Sequence, residues 1–340
     1  MNTDSDHFVL VDHLRKILTH NVRLSLDTEV ILVYDEECSL STKLAQGYKE
    51  IVKDYPHRII KFESSMGEEL KKEFLNVSKG ITVILVQTTS FRISEYRIRL
   101  DLNNQGAFVI EHSHLNLIKP EEEETYLKCL TYDHERYKTI CDHVSPLLRK
   151  AARVEVVSFD GSVMRYDGPF DEIYYNIGDI QKTLGSFYPI GEFFTELLDL
   201  KKVNGTFQIY AYPSMHHETI IETPFHIHVQ EGSIVSHDGP PRFEEIMDLI
   251  QTENSDRRVP LREMGFGLNR FIGKKRPLGY VGSHERQLGF HVSLGLKHGI
   301  YRKKLPHSVQ QRFHIDLFID VMKILIDGVI VFENGEYKPF

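Results

Sequence analysis

The sequence predicts an α/β protein, with a parallel α/β domain over residues 1–185 and a β-rich (α+β) domain over 186–340. Three observations lead there. In the first half, short and nearly continuous apolar runs alternate with helical segments, as parallel βαβ units require. Past about residue 185, Gly, Pro and turn dipeptides become dense and the apolar runs short, as in antiparallel β structure. The third is compositional: 18 histidines stand beside only three cysteines, and ten of the histidines fall in the last 150 residues.

The elements follow in order. Glu29–Tyr34 is a nearly continuous apolar run, the mark of a strand buried on both faces. A helix is expected over 41–54 and a second strand over Arg58–Phe62. Ser65 and Glu68 have capping-box spacing and open a helix to about Phe74. Ile81–Val86 and Gly106–Ile110 are the third and fourth strands. Pro120 followed by Glu121–Glu124 reads as a helix start, since proline suits the first turn and acids suit the positive end of the helix dipole. That helix is expected to run, with a break, to about Ala152, and Arg153–Val157 is a further strand. In the second half the candidate strands are Thr206–Tyr212, His217–Glu222 and Phe225–Gln230. A helix over 243–251 follows. Val321–Ile326 and Val329–Phe332 flank Asp327-Gly328, a hairpin signal. Gly265-Phe266-Gly267 reads as turn chemistry.

Composition narrows the class. With 41% hydrophobic and 26% charged residues, the chain is globular and not disordered. A net charge of −8 argues against nucleic acid as a partner. No apolar run reaches the ~18 residues that span a bilayer, and the acidic start Met1–Asp6 is unlike a secretory signal. The expectation is a soluble, cytoplasmic protein with no membrane partner. Cys38, Cys129 and Cys141 have no CxxC spacing, so neither a disulfide framework nor a cysteine zinc site is expected. Phosphate-binding GxxxxGK[ST] and GxGxxG signatures, and the GxSxG elbow, are missing where they would be needed.

The chemistry-bearing residues lie in the second half. In Phe313-His314-Ile315-Asp316-Leu317, apolar and polar residues alternate, so on a strand His314 and Asp316 share a face. Gly289–Gly295 carries His291, with His298 seven residues on and Glu285 six residues before. This is not the helical HExxH arrangement. Glu192 and Glu263 each sit among glycines and aromatics. Singly, His291 reads as a core histidine, and Glu192 and Glu263 as surface carboxylates. As a set, Glu192, Glu263, Asp316, His291, His298 and His314 have the ligand types of a two-metal site. Two divalent cations bring four positive charges, offset by three carboxylates and a hydroxide. The other histidines weigh less: His226 and His228 share a strand face, and His216-His217 sits in a turn.

From about residue 185 onward the sequence resembles the metallo-aminopeptidase family that includes aminopeptidase T and aminopeptidase S. The matching segments are Gly191–Thr195, Glu263 with the following Asn269, His284-Glu285 before His291–Gly295, and His314-Ile315-Asp316 before Asp327-Gly328. Each is loose, but they occur in the family's order. The resemblance implies that Glu192, Glu263, His291, His314 and Asp316 are metal ligands for two Zn, Co or Mn ions. It implies that Glu285 is the general base and that the chain is a homodimer acting on a small peptide or other small-molecule substrate. The family's sixth ligand is a tyrosine; here the position is His298, which alters metal preference and site charge. The second domain is thus expected to be the metal-binding, catalytic one.

The chain also resembles the 2,5-dihydroxypyridine dioxygenases, mononuclear iron enzymes of similar length. Their iron-site positions match Glu263, His298, His314 and Asp316, with His at the first and Ser at the second. Here His298, His314 and Asp316 would form a 2-His-1-carboxylate set suited to one Fe(II). Retention of Glu192, Glu263 and His291 favours two metals and hydrolysis. A non-catalytic relative in a biosynthetic pathway is the third reading, opposed by the cost of idle buried charges.

Overall fold

Eighteen strands and seven helices of two turns or more are seen among the residues that the computed structural model describes. Those residues are 3–63, 66–75, 77–90, 98–131, 133–180, 185–254, 256–296 and 313–338. The strands of the first half are β1 (Val30–Tyr34), β2 (His57–Lys61), β3 (Thr82–Val86), β4 (Phe108–His112), β5 (Arg153–Ser158), β6 (Val163–Asp167), β7 (Tyr174–Asn176) and β8 (Gly185–Phe187). Those of the second half are β9 (Glu192–Thr195), β10 (Val203–Pro213), β11 (Thr219–Gln230), β12 (Ser233–His237), β13 (Leu261–Gly267), β14 (Gly289–Gly295), β15 (His314–Ile319), β16 (Val321–Ile326), β17 (Val329–Glu333) and β18 (Glu336–Tyr337). The helices are α1 (Thr3–Lys16), α2 (Ser39–Ile51), α3 (Gly67–Phe74), α4 (Ile98–Asn104), α5 (Glu123–Cys129), α6 (His134–Lys150) and α7 (Pro241–Glu253). The α/β class with a β-rich second part is therefore observed.

Two units emerge. One comprises Met1–His134, Asn176–Ile190 and Leu278–Ser283; the other comprises Glu135–Tyr175, Gly191–Pro277 and His284–Phe340. In the first, five parallel strands lie in the order β2-β1-β3-β4-β8. Every residue of β1 and β3 is buried, which is why both read as unbroken apolar runs. Ile31, Val33, Val83, Leu85 and Val109 form one core layer with Leu70 and Phe74 of α3 and Ile98 and Leu102 of α4. β2 is the edge strand, and Arg58 reaches Glu29 and Glu73 along it; charge on an edge discourages further strand pairing.

Several elements depart from the sequence reading. Helix α1 escaped it. The helix ending at Phe74 starts at Gly67, after Met66, while Ser65 lies outside the described residues. The Pro120 segment begins as a 3₁₀ turn before α5, while the expected break is present before α6. β11 is one strand, not two. It runs through Pro224 at a bulge, since Ile209 of β10 pairs with Phe225 but Ala211 with Ile221; a bulge accommodates a residue without an N–H. Gly265-Phe266-Gly267 lies inside β13, not in a turn. The Asp327-Gly328 hairpin is present: both residues have positive φ, 47° and 82°, as a two-residue I′ turn requires. The Asp327 carboxylate also accepts from the Arg153 amide at 2.8 Å.

The first unit contains a sealed polar chain. Tyr126 donates to the Tyr188 carbonyl at 3.3 Å, and His112 Nδ1 lies 2.9 Å from the Tyr126 hydroxyl. Tyr48 OH lies 2.9 Å from His112 Nε2. Nδ1–H therefore donates to Tyr126, and Nε2 accepts from Tyr48. Burial pushes His112 from 6.5 down to about 3, so the folded chain holds it neutral. The folded value lies below the unfolded one, so the stabilisation is complete above pH 6.5. It is lost as pH falls toward 3. At about 1.4 kcal/mol per pKa unit, the chain is expected to lose roughly 4 kcal/mol across that window. Urea unfolding at pH 7 and pH 4 should show about 3 kcal/mol of that loss, and His112→Gln should flatten the slope.

The second unit is built on a sheet of order β18-β17-β16-β5-β6-β10-β15-β14-β13-β9-β7, with β11 and β12 continuing from β10. No helix among the described residues is long and apolar enough to cross a membrane.

Candidate metal centre

Four adjacent antiparallel strands, β9, β13, β14 and β15, carry the candidate ligands. Their register decides which side chains meet. Gly267 pairs with Glu192, and Gly265 with both Phe194 and His291. Ser293 pairs with Asp316, and Gly295 with His314. Side chains alternate along each strand, so Glu192, Glu263, His291, His314 and Asp316 all project from one face. The opposite face carries Phe193, Met264, Phe266, Phe290, Val292, Leu294 and Leu317, all buried. Phe193 stacks on Phe266 at 4.7 Å, with Phe290 edge-on. This apolar layer holds the four strands in register and fixes the site above it.

On the site face, the side chains meet in pairs. His314 Nε2 lies 3.2 Å from Asp316 Oδ1 and 3.8 Å from Glu263 Oε2. His291 Nε2 lies 3.6 Å from Glu263 Oε1. His314 Nδ1 donates to the Leu296 carbonyl at 3.1 Å, and the Glu263 amide donates to Ser293 Oγ. Gly265 makes room for His291: a Cβ there would stand 2.0 Å from the ring Nε2.

Glu192 has a different neighbour. Its Oε2 accepts from Arg286 Nη1, and the same nitrogen donates to Glu285 Oε2 at 2.6 Å. The Glu192 and Arg286 side chains are each 7% exposed, and Glu285 is 25% exposed. A turn closed from the His284 carbonyl to the Gln287 amide at 2.8 Å places Glu285 and Arg286 at its centre. The Asn269 amide pins that turn by donating to the Arg286 carbonyl at 3.0 Å. Behind it, buried His284 has Nε2 3.0 Å from the Tyr210 hydroxyl, and burial pushes its pKa down to about 3.

Burial and mutual charge shape the protonation. Burial alone would lower His314, but Asp316 and Glu263 raise it to about 10. Burial would raise Asp316, but the charge and hydrogen bond of His314 hold it well below the usual carboxylate range. For His291, Glu263, Asp316 and Glu192 outweigh burial and raise it. Burial raises Glu192 despite the neighbouring Arg286. It pushes Glu285 up to about 8, with help from Asp316 and Glu192 against Arg286.

The donor set suits a divalent cation. Two ligands about 2.1 Å from one tetrahedral ion stand roughly 3.4 Å apart. The imidazole–carboxylate separations of 3.2, 3.6 and 3.8 Å bracket that spacing. His314 gives its Nδ1 proton to a backbone carbonyl, the second-sphere bond that orients ligating histidines. The pairs use different oxygens of Glu263, and no group of three or more described His, Cys, Asp or Glu side chains stands in ready ligating geometry. His298 lies outside the described residues.

Sequence reasoning brought forward five side chains that share this face, and Glu285 at its margin. It passed over Arg286. His226 belongs elsewhere, half-exposed on β11 between Asp160 at 2.6 Å and Asp238 at 3.1 Å. His228 stacks beside it.

Comparison with known proteins yields no matching family model and no matching curated sequence. Solved structures do match. A 2,5-dihydroxypyridine dioxygenase from Pseudomonas putida KT2440 has a TM-score of 0.62 at 13% identity, covering 97% of this chain and 96% of that one. Wild-type AmpT (aminopeptidase T) from Thermus thermophilus has a TM-score of 0.62 at 12% identity, covering 97% and 98%. The chain is similar to both in fold, and these likenesses extend over nearly the whole of each protein.

Proposed function

We propose that this chain is a metal-dependent hydrolase that cleaves an amide next to a free amine. The observation that carries the reading is the convergence of Glu192, Glu263, His291, His314 and Asp316 on one face of four adjacent strands. Glu263, His291, His314 and Asp316 are the residues that would hold a divalent cation. A bound ion would polarise the substrate carbonyl and acidify a water. The chain's own groups do the rest. Glu285, at the partly exposed margin, takes the proton from the attacking water at its carboxylate and returns it to the leaving nitrogen. With Arg286 and a divalent ion set against the four carboxylates, the site carries at most one net negative charge, so the preference for a free amine rests on the likeness in fold to AmpT. The apolar layer beneath keeps the ligand side chains fixed.

The AmpT likeness in fold supports this reading, and the dioxygenase likeness supplies its rival. Aminoacyl p-nitroanilides with and without N-acetylation separate the two. After Zn²⁺, Co²⁺ or Mn²⁺ is supplied, the free-amine substrate should turn over and the blocked one should not, and chelation should abolish the rate. Glu285→Gln should lower kcat by about 10²–10⁴-fold with little change in KM. Oxygen uptake with Fe²⁺ and a dihydroxylated aromatic, without amide cleavage under any metal, would overturn the hydrolase reading.

A further inference from the structure

We infer that the Arg286 guanidinium stands in the place of a second cation, so that this site takes one divalent ion and not two. The inference rests on the metal-dependent reading above and deepens it. The seven charged side chains of the site fall into two clusters, with Asp316 and Glu285 facing each other between them. Glu263 faces His291 and His314, and His314 faces Asp316, all within 3.2–3.8 Å. Glu192 instead directs Oε2 to Arg286 Nη1, which also binds Glu285.

One nitrogen shared by two carboxylates is the bridging role that a second metal ion would fill. A guanidinium cannot lose its proton in a protein, and its charge repels a divalent ion brought to the same carboxylate. Nor is Arg286 a surface group that happens to lean inward. Its side chain is 7% exposed, and its main chain is held by the bond from Asn269 and by the turn from His284 to Gln287. A ligand role for Glu192 would require breaking a buried, charge-assisted bond to a permanent cation.

The test is metal stoichiometry of the full chain, stripped with chelator, dialysed and titrated calorimetrically with Mn²⁺, Zn²⁺ or anaerobic Fe²⁺ alone. The wild type is expected to bind about one ion per chain. Glu192→Gln should keep that ion with affinity within about threefold, while Asp316→Asn should weaken it by about 100-fold or more. Arg286→Gln should admit a second ion. Two ions in the wild type, or loss of the ion in Glu192→Gln, would overturn the inference and leave the metal reading standing. No binding of any of the three ions would overturn both. The Glu192→Gln arm decides the matter even where the Arg286 variant fails to fold.

Discussion

Gly265→Ala is expected to weaken divalent-ion binding by roughly 10- to 100-fold, the range for losing control of a ligand's orientation. The fold should persist. The Gly265 backbone is ordinary strand, so alanine brings no conformational strain, only a methyl group. That methyl would lie 2.0 Å from His291 Nε2, 2.1 Å from Cε1 and 2.6 Å from Cδ2. The imidazole is 1% exposed, and Phe318 stands 6.0 Å from it, so the ring must swing out of line with Glu263. Overpacking of this kind costs about 1–3 kcal/mol. Calorimetric titration with Zn²⁺ and a thermal melt measure the two effects separately. Unchanged affinity would show that His291 is not a ligand.

Arg286→Met is expected to destabilise the chain by about 3–5 kcal/mol, because it leaves Glu192 and Glu285 beside each other without a buried counter-charge. The melting temperature should fall by roughly 10 °C. Arg286→Lys keeps the charge but not the planar fork, and should fall between methionine and the wild type. The triple substitution Glu192→Gln/Glu285→Gln/Arg286→Met should recover most of the loss, since breaking a buried pair costs more than removing it whole. If methionine alone is harmless, the guanidinium does not hold this corner of the site.

How far the sequence carries depends on where the information sits. β1 and β3 are legible because burial on both faces leaves an unbroken apolar run. β15 is legible because His314 and Asp316 alternate with Ile315 and Leu317. The hairpin at Asp327-Gly328 is legible because few residues adopt positive φ. The glycines of β13 misled: Gly265 serves not a turn but the space that a neighbouring strand's histidine occupies, which only the register of β13 against β14 reveals. Pro224 misled likewise, since it sits in a bulge of β11 itself, where no ladder N–H is needed. Helix α1 was obscured by a polar start. Arg286 was passed over because an arginine following a glutamate resembles a solvated ion pair. Its burial against Glu192, 94 residues away in sequence, is a tertiary fact. The candidate ligands were found through an ordered series of loose motifs, whereas the way they divide between Glu263 and Arg286 follows from geometry alone.

Elemental analysis of the purified chain, alongside the double variant Glu263→Gln/Asp316→Asn, tests the central claim most directly. After incubation with Zn²⁺, Mn²⁺ or Fe²⁺ and removal of free metal, the wild type should retain about one divalent ion per chain, and the folded double variant none. Equal metal content in both, or none in the wild type with any of the three ions, would contradict the account.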